Sequence, residues 1–341
     1  MKILLDAFGG DNSPIEVVKG AVDYISAGGK AEVCLVGMED EINKVFLENN
    51  LSKKNISILN ATEIITCEES PTEAFRKKPN STICVGLDAL KTGEYGAFVS
   101  AGSTGALLTA AVFKSGRIKG VSRPALATLF PNLKGGRTLF LDCGANADSK
   151  PQNLLHFAVM GDVYMKSVLK IENPKIALLS NGTEDKKGNE LIHAVNPALR
   201  SLSSINFVGN IEGRDILSGE YDVVVTDGFS GNVALKSLEG AIASLLSIMK
   251  TNIKESLLAS IGYKLFMQKA FKKTKKALDY NSQGGAVFLG VNGVVLKAHG
   301  SSKSVSFKNT LFQAEEAIEN DINAQISDRL NESEVKDYKF E

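Results

Sequence analysis

Seven times along this chain a short apolar run ends in a glycine set beside Asp, Asn, His or a hydroxyl residue. The clearest case lies between Tyr221 and Gly240. Val223, Val224 and Val225 read as a buried parallel strand, a polar turn holds Asp227, Gly228, Phe229, Ser230, Gly231 and Asn232, and from Ala234 the pattern is helical. Units of this kind belong to open α/β sheets, which place ligands where strand carboxyl ends meet helix amino ends. The first N–H groups of a helix are unpaired and carry the positive end of its dipole, so an anion is the natural guest there.

At 341 residues the chain exceeds a single ordinary core and predicts two domains or one large α/β unit with two lobes. A formal net charge of zero argues against a nucleic-acid partner that needs a basic surface. No consecutive apolar run approaches the roughly 20 residues that span a bilayer, and the first residues, reaching Asp6 and glycines at once, do not read as a signal peptide. Cys34, Cys67, Cys84 and Cys143 show neither close pairing nor metal-type spacing, so a reduced cytoplasmic compartment and no metal are expected.

Strands are expected at residues 2–5, 32–36, 56–59, 97–100, 139–141, 176–179, 205–208, 223–225 and 294–298. After the fourth comes Ala101-Gly102-Ser103-Thr104-Gly105, a glycine-rich turn that is neither a dinucleotide fingerprint nor a Walker loop and that fits phosphate or carboxylate. The segment around Asp142, Gly144 and Asn146 repeats the scheme. The loop at 181–190 carries Lys186 and Lys187, where a lysine can reach an anion. His299 ends the last strand, whereas His156 and His193 fall in helical patterns and read as structural.

From about 238 to 279 the βα rhythm stops. Apolar residues at helical spacing, a turn near 260–262 and a run of lysines predict a protruding helical hairpin, with a charged tail at 331–341. The first helix reads as a homodimer interface. The tip, with Leu257, Leu258, Ile261, Leu265 and Phe266 beside lysines, suits peripheral contact with the anionic inner face of a membrane.

The segments MKILLDAFGGDNSP, SAGSTGALL, GRIKGVSRPALA, DCGANAD, TEDKKGNEL, DVVVTDGFSGNVALKSLEG and KAHGSS resemble those of the bacterial phosphate acyltransferases of phospholipid synthesis, the PlsX family. The resemblance implies a three-layer α/β/α sandwich with a largely parallel sheet, similar to isocitrate and isopropylmalate dehydrogenases. It implies reversible transfer of a long fatty acyl group from acyl carrier protein to inorganic phosphate without a cofactor, and a downstream glycerol-3-phosphate acyltransferase to use the product. Lys187 and Asn232 match the catalytic pair. Gly102, Ser103, Thr104, Gly105, Asp227, Gly228, Ser230, Gly231 and His299 are then expected to shape the phosphate and acyl site.

The chemistry suits a chain with no nucleophile-base pair in its motifs. Phosphate is already an anionic nucleophile, and a thiol of pKa roughly 8.5 leaves without much help. Holding the reactants in line is worth on the order of 7 to 11 kcal/mol, and one donor on the developing oxyanion about 3 to 4 kcal/mol. Lys187 is expected to neutralise phosphate or oxyanion and Asn232 to donate in the same place. Arg76, Lys77, Lys78, Arg117, Lys119 and Arg123 are candidate docking charges for the acidic carrier protein. An NAD-dependent decarboxylating dehydrogenase would need a metal-binding carboxylate cluster and a cofactor loop. A non-catalytic lipid-regulatory scaffold would not need anion-type turns at so many strand ends.

Overall fold

The computed structural model describes residues 1–66, 68–278 and 284–340, so Cys67 and the end of the expected hairpin at 279 lie outside the described residues. Among these, eleven strands form one sheet: β1 (Lys2–Asp6), β2 (Glu32–Gly37), β3 (Ile56–Asn60), β4 (Ala97–Ser100), β5 (Ala125–Pro131), β6 (Arg137–Leu141), β7 (Lys175–Leu179), β8 (Asn206–Ile211), β9 (Val223–Val225), β10 (Ala286–Leu289) and β11 (Val294–Lys297). The spatial order is β3-β2-β1-β4-β11-β10-β5-β6-β9-β7-β8.

The sheet is two parallel halves joined by an antiparallel centre. Strands β3, β2, β1, β4 and β11 pair parallel, as do β6, β9, β7 and β8. Between them β10 is antiparallel to both β11 and β5, and β5 is antiparallel to β6. Three reversals turn one half against the other. The carboxyl ends of β1, β4 and β11 therefore lie at one edge, and those of β6, β9 and β7 at the opposite edge. The glycine turns at these strand ends thus lie at two opposite edges, bridged by β10 and β5. Neither of these strands was expected from sequence, because both sit in hairpins, closed by turns at 132–136 and 290–293, outside the βα rhythm.

Alternation along each strand divides the core by face. Leu5, Val99, Leu139, Val225 and Leu296 pack under helices Ile15–Ser26, Pro151–Ser167, Glu190–Ser201 and Ser304–Glu319. Leu4, Phe98, Leu126, Phe140, Val224, Phe288 and Val295 face the other way, onto helices Thr82–Lys91 and Thr104–Ala110 and onto Leu235. These are the three layers of an α/β/α sandwich. Cys34, Cys84 and Cys143 are buried free thiols.

Helix Gly228–Glu255 runs 28 residues, yet only Gly228, Gly231 and Leu235 are buried. By length and composition it meets the criterion for a bilayer-crossing helix, although Lys236, Glu239 and several serines break every run of consecutive apolar residues in it. Its first turn is locked onto the sheet and the rest projects outward. The chain bends at Ser256, whose backbone is extended, rather than near 260–262; Gly262 stays right-handed and helical. Ser260 secures the bend by donating to Ile253 O at 2.7 Å. The second arm then continues as Leu257–Gly262, a π-helical turn at Tyr263–Met267 and Gln268–Leu278.

Candidate active site

β10 begins at Ala286, and its register with β5 sets that start across from Thr128, while β5 runs on to Pro131. Beyond Thr128 the sheet parts, and a cavity of about 240 Å³ occupies the gap. Its lining combines the apolar side chains of Leu126, Leu129, Leu235 and Ala286 with the polar ones of Thr104, Asn232, Lys236, Glu239, Lys297 and His299. Gln313 closes it from the opposite layer, fixed by accepting the Gly285 N–H at 2.9 Å and donating to the Tyr164 hydroxyl at 2.9 Å.

The second half contributes its wall through Asp142. This carboxylate, fully buried at the end of β6, accepts from the N–H groups of Leu126 (3.0 Å), Gly144 (3.1 Å), Ala145 (2.9 Å) and Asn146 (2.9 Å), and from the Asn146 carboxamide (2.8 Å). Burial pushes its pKa above the usual carboxylate range, and these donors pull it back. The clamped loop presses on the start of the long helix. A Cβ at Gly228 would stand 2.2 Å from Asn146 O, and one at Gly231 1.8 Å from Asp142 O. Close backbone approach requires glycine at both positions. Asp227 caps the helix, accepting the Ser230 N–H at 2.9 Å, so the helix's own carboxylate answers its positive end. What faces the cavity is the following stripe, Asn232, Leu235, Lys236 and Glu239, at helical spacing. Lys236 and Glu239 pair at 2.9 Å.

The first half mirrors this arrangement. Residues 100–105 and 226–231 share the pattern Ser/Thr-x-Gly-x-Ser/Thr-Gly. Asp6, fully buried at the end of β1, accepts from Ser100 Oγ at 2.6 Å and the Phe8 N–H at 3.1 Å; burial again raises its pKa against those bonds. Ser100 Oγ in turn accepts the Gly102 N–H at 3.0 Å, and Ser103 caps helix Thr104–Ala110. A Cβ at Gly105 would meet the Pro71 ring at 2.8 Å, so this glycine serves helix packing.

Of the residues singled out from sequence, Thr104, Asn232 and His299 line the cavity. Gly102, Ser103, Gly105, Asp227, Gly228, Ser230 and Gly231 form the turns behind it. The Asn232 carboxamide, beside Gly144, has no hydrogen-bond partner among the described residues. Lys187 stands outside the lining, exposed on the loop after β7, which adjoins β9 and so leaves the sheet at the edge from which the Asn232 helix starts. Its stem lies across Gly182, where a Cβ would meet Lys187 Cγ at 2.6 Å. His299 accepts the Ser301 N–H at Nδ1 (3.2 Å), which places the proton of the neutral ring on Nε2. Desolvation, then the Lys297 ammonium, hold its pKa below the ordinary value. Leu258, Ile261, Leu265 and Phe266 are exposed on the second arm, Leu258 at 83% and Phe266 at 80%; the Leu257 side chain lies outside the described residues. Of the basic docking candidates, Lys77 and Lys78 pair with Glu73 and Glu69, and Arg117 donates to Ser122 O.

Sequence reasoning passed over Lys236, Glu239, Lys297, Cys143 and Gln313. Helical spacing from Asn232 would have found Lys236 and Glu239. Cys143 lines the cavity, but burial pushes its thiol pKa far up and its Sγ donates to Phe140 O at 3.0 Å, so it is held as an inert thiol.

A family model described as "Fatty acid synthesis protein" matches residues 1–325. The chain is 42% identical over 332 residues to the phosphate acyltransferase of Halothermothrix orenii, covering 97% of this chain and 99% of that one. It is 44% identical over 326 residues to the phosphate acyltransferase of Thermoanaerobacterium thermosaccharolyticum, covering 96% of each. Among solved structures, a phosphotransacetylase from Streptococcus pyogenes shares the fold at a TM-score of 0.61 and 20% identity, over 94% of each chain. With near-complete coverage at this identity, the chain belongs to the fatty acid synthesis protein family that contains the phosphate acyltransferases.

Proposed function

We propose that this enzyme transfers a long-chain fatty acyl group from the thioester of an acyl carrier protein to inorganic phosphate, releasing acyl phosphate for phospholipid synthesis. The observation that carries the reading is the cavity itself: lined by apolar side chains together with Lys236 and Lys297, with the Asn232 carboxamide, which has no hydrogen-bond partner among the described residues, on its wall. A phosphate oxygen attacks the thioester carbonyl carbon, forming the C–O bond. The C–S bond then breaks, and the sulfur leaves as thiolate and takes a proton from water. Asn232 donates to the carbonyl oxygen as it gains charge. Lys187 enters from the neighbouring loop to neutralise the same charge or the phosphate. The projecting arms serve self-association along the long helix and peripheral contact with an anionic membrane beyond Ser256, placing a cytoplasmic enzyme where its product is used by a glycerol-3-phosphate acyltransferase.

The test is release of free thiol from palmitoyl acyl carrier protein with and without phosphate, with palmitoyl coenzyme A as the comparison donor and hydroxylamine to trap acyl phosphate. Phosphate-dependent release is expected, and Lys187→Ala and Asn232→Ala should each lower turnover at least about 100-fold with folding intact. Near-normal turnover in either variant removes that residue from the mechanism. Absence of release in folded wild-type protein refutes the reaction.

A further inference from the structure

Lys297 is the last residue of β11, and alternation along that strand settles its direction. Val295 packs on the face that carries Leu235 and Leu296 on the other, so Lys297 returns to the cavity face. Its Nζ donates to Ala101 O at 3.2 Å and Ala298 O at 2.5 Å. Both carbonyls belong to turns at the ends of β4 and β11, so the ammonium is fixed where Thr104 and His299 also reach the cavity.

These three groups belong to the first half, whereas Asn232 and Gly144 belong to the second. An attack across the cavity needs the nucleophile on one wall and the carbonyl on the other. We propose that Lys297, assisted by the Thr104 hydroxyl and the His299 Nε2–H, holds the phosphate nucleophile on the wall opposite Asn232. The inference rests on the transfer reading above and gives it a direction: phosphate on the β4–β11 side, thioester on the β6–β9 side. Bonds to two main-chain carbonyls fix the ammonium in position, and a phosphate dianion matches it as a point charge. The field of Lys297 is felt by its neighbours: it adds to the desolvation that lowers the His299 pKa and opposes the burial that raises that of Asp6.

The experiment compares the full-length wild type with Lys297→Met and Lys297→Arg in the phosphate-dependent thiol-release assay, varying phosphate and acyl donor separately. The Met variant is expected to raise the KM for phosphate at least tenfold while the KM for the acyl donor stays within twofold; Arg should restore phosphate KM to within about threefold of wild type. Inorganic phosphate should raise the thermal midpoint of wild type and Arg variant but not of Met, a readout independent of turnover. If wild type depends on phosphate and Lys297→Met retains its phosphate KM, the inference fails and the reaction stands. Equal losses toward both substrates mark a structural role and also overturn it. If Met does not fold, a wild-type phosphate KM in Lys297→Gln overturns it instead. Should wild type itself show no phosphate dependence, the reaction is wrong and this inference goes with it.

Discussion

His156 shows how far one buried side chain can govern stability. It sits in helix Pro151–Ser167 with Nε2 2.7 Å from the Gln152 amide nitrogen and Nδ1 without a partner among the described residues. Burial lowers its pKa from 6.5 to about 4. Between these values the unfolded chain binds the extra proton, so stability is complete above the unfolded pKa and is lost as pH falls toward the folded one. The contribution at pH 5 is expected to be about 2 kcal/mol smaller than at pH 7. Urea unfolding of wild type and His156→Gln at both pH values isolates it from Asp6 and Asp142, whose raised pKa values act with the opposite sign. Identical pH slopes in the two proteins would refute the assignment. A structural role for this histidine was legible in its helical setting. Lys297 was not, because a lysine ending a strand usually points to solvent, and only the pairing of β11 with β4 and β10 turns it into a cavity wall.

Among elements, the projecting arms are where sequence and structure diverge most instructively. Helical spacing announced the arms, but the bend falls at Ser256, which sequence does not distinguish from the other serines nearby. Leu245, Ile248 and Met249 are exposed before the bend and Leu258, Leu265 and Phe266 after it, so the two arms present separate apolar surfaces. Leu258→Glu combined with Phe266→Glu is expected to abolish sedimentation with anionic vesicles while leaving the elution volume on size exclusion unchanged. Undiminished vesicle binding would exclude the tip as the membrane contact; a shift in elution would place these residues in self-association. The strands tell a parallel story. Nine were legible because each opens or closes a βα unit with a run of apolar residues, whereas the seven-residue β5 and the four-residue β10 lie in hairpins outside that rhythm. The unread pair is the one whose parting makes the cavity, so the turns of the site could be read from sequence while their meeting place could not.

Taken whole, the molecule is two opposed halves that share no strand until β10 and β11 enter between β4 and β5. A chain ending at residue 285 would keep β1 to β9 but leave β4 and β5 as unpaired edges. Such edges are templates for pairing with other chains. Truncation there is expected to yield aggregated protein where the full chain is soluble, measured as the fraction remaining in a high-speed supernatant; a soluble, cooperatively unfolding truncated chain would show that the halves stand independently. The feature also bears on how the enzyme is born. Synthesis delivers the amino-terminal residues first, so both lobes leave the ribosome before the two strands that join them. Until those strands arrive there is no cavity, and a nascent chain is a pair of unfinished sheets whose need for chaperone protection is written into the order of its strands.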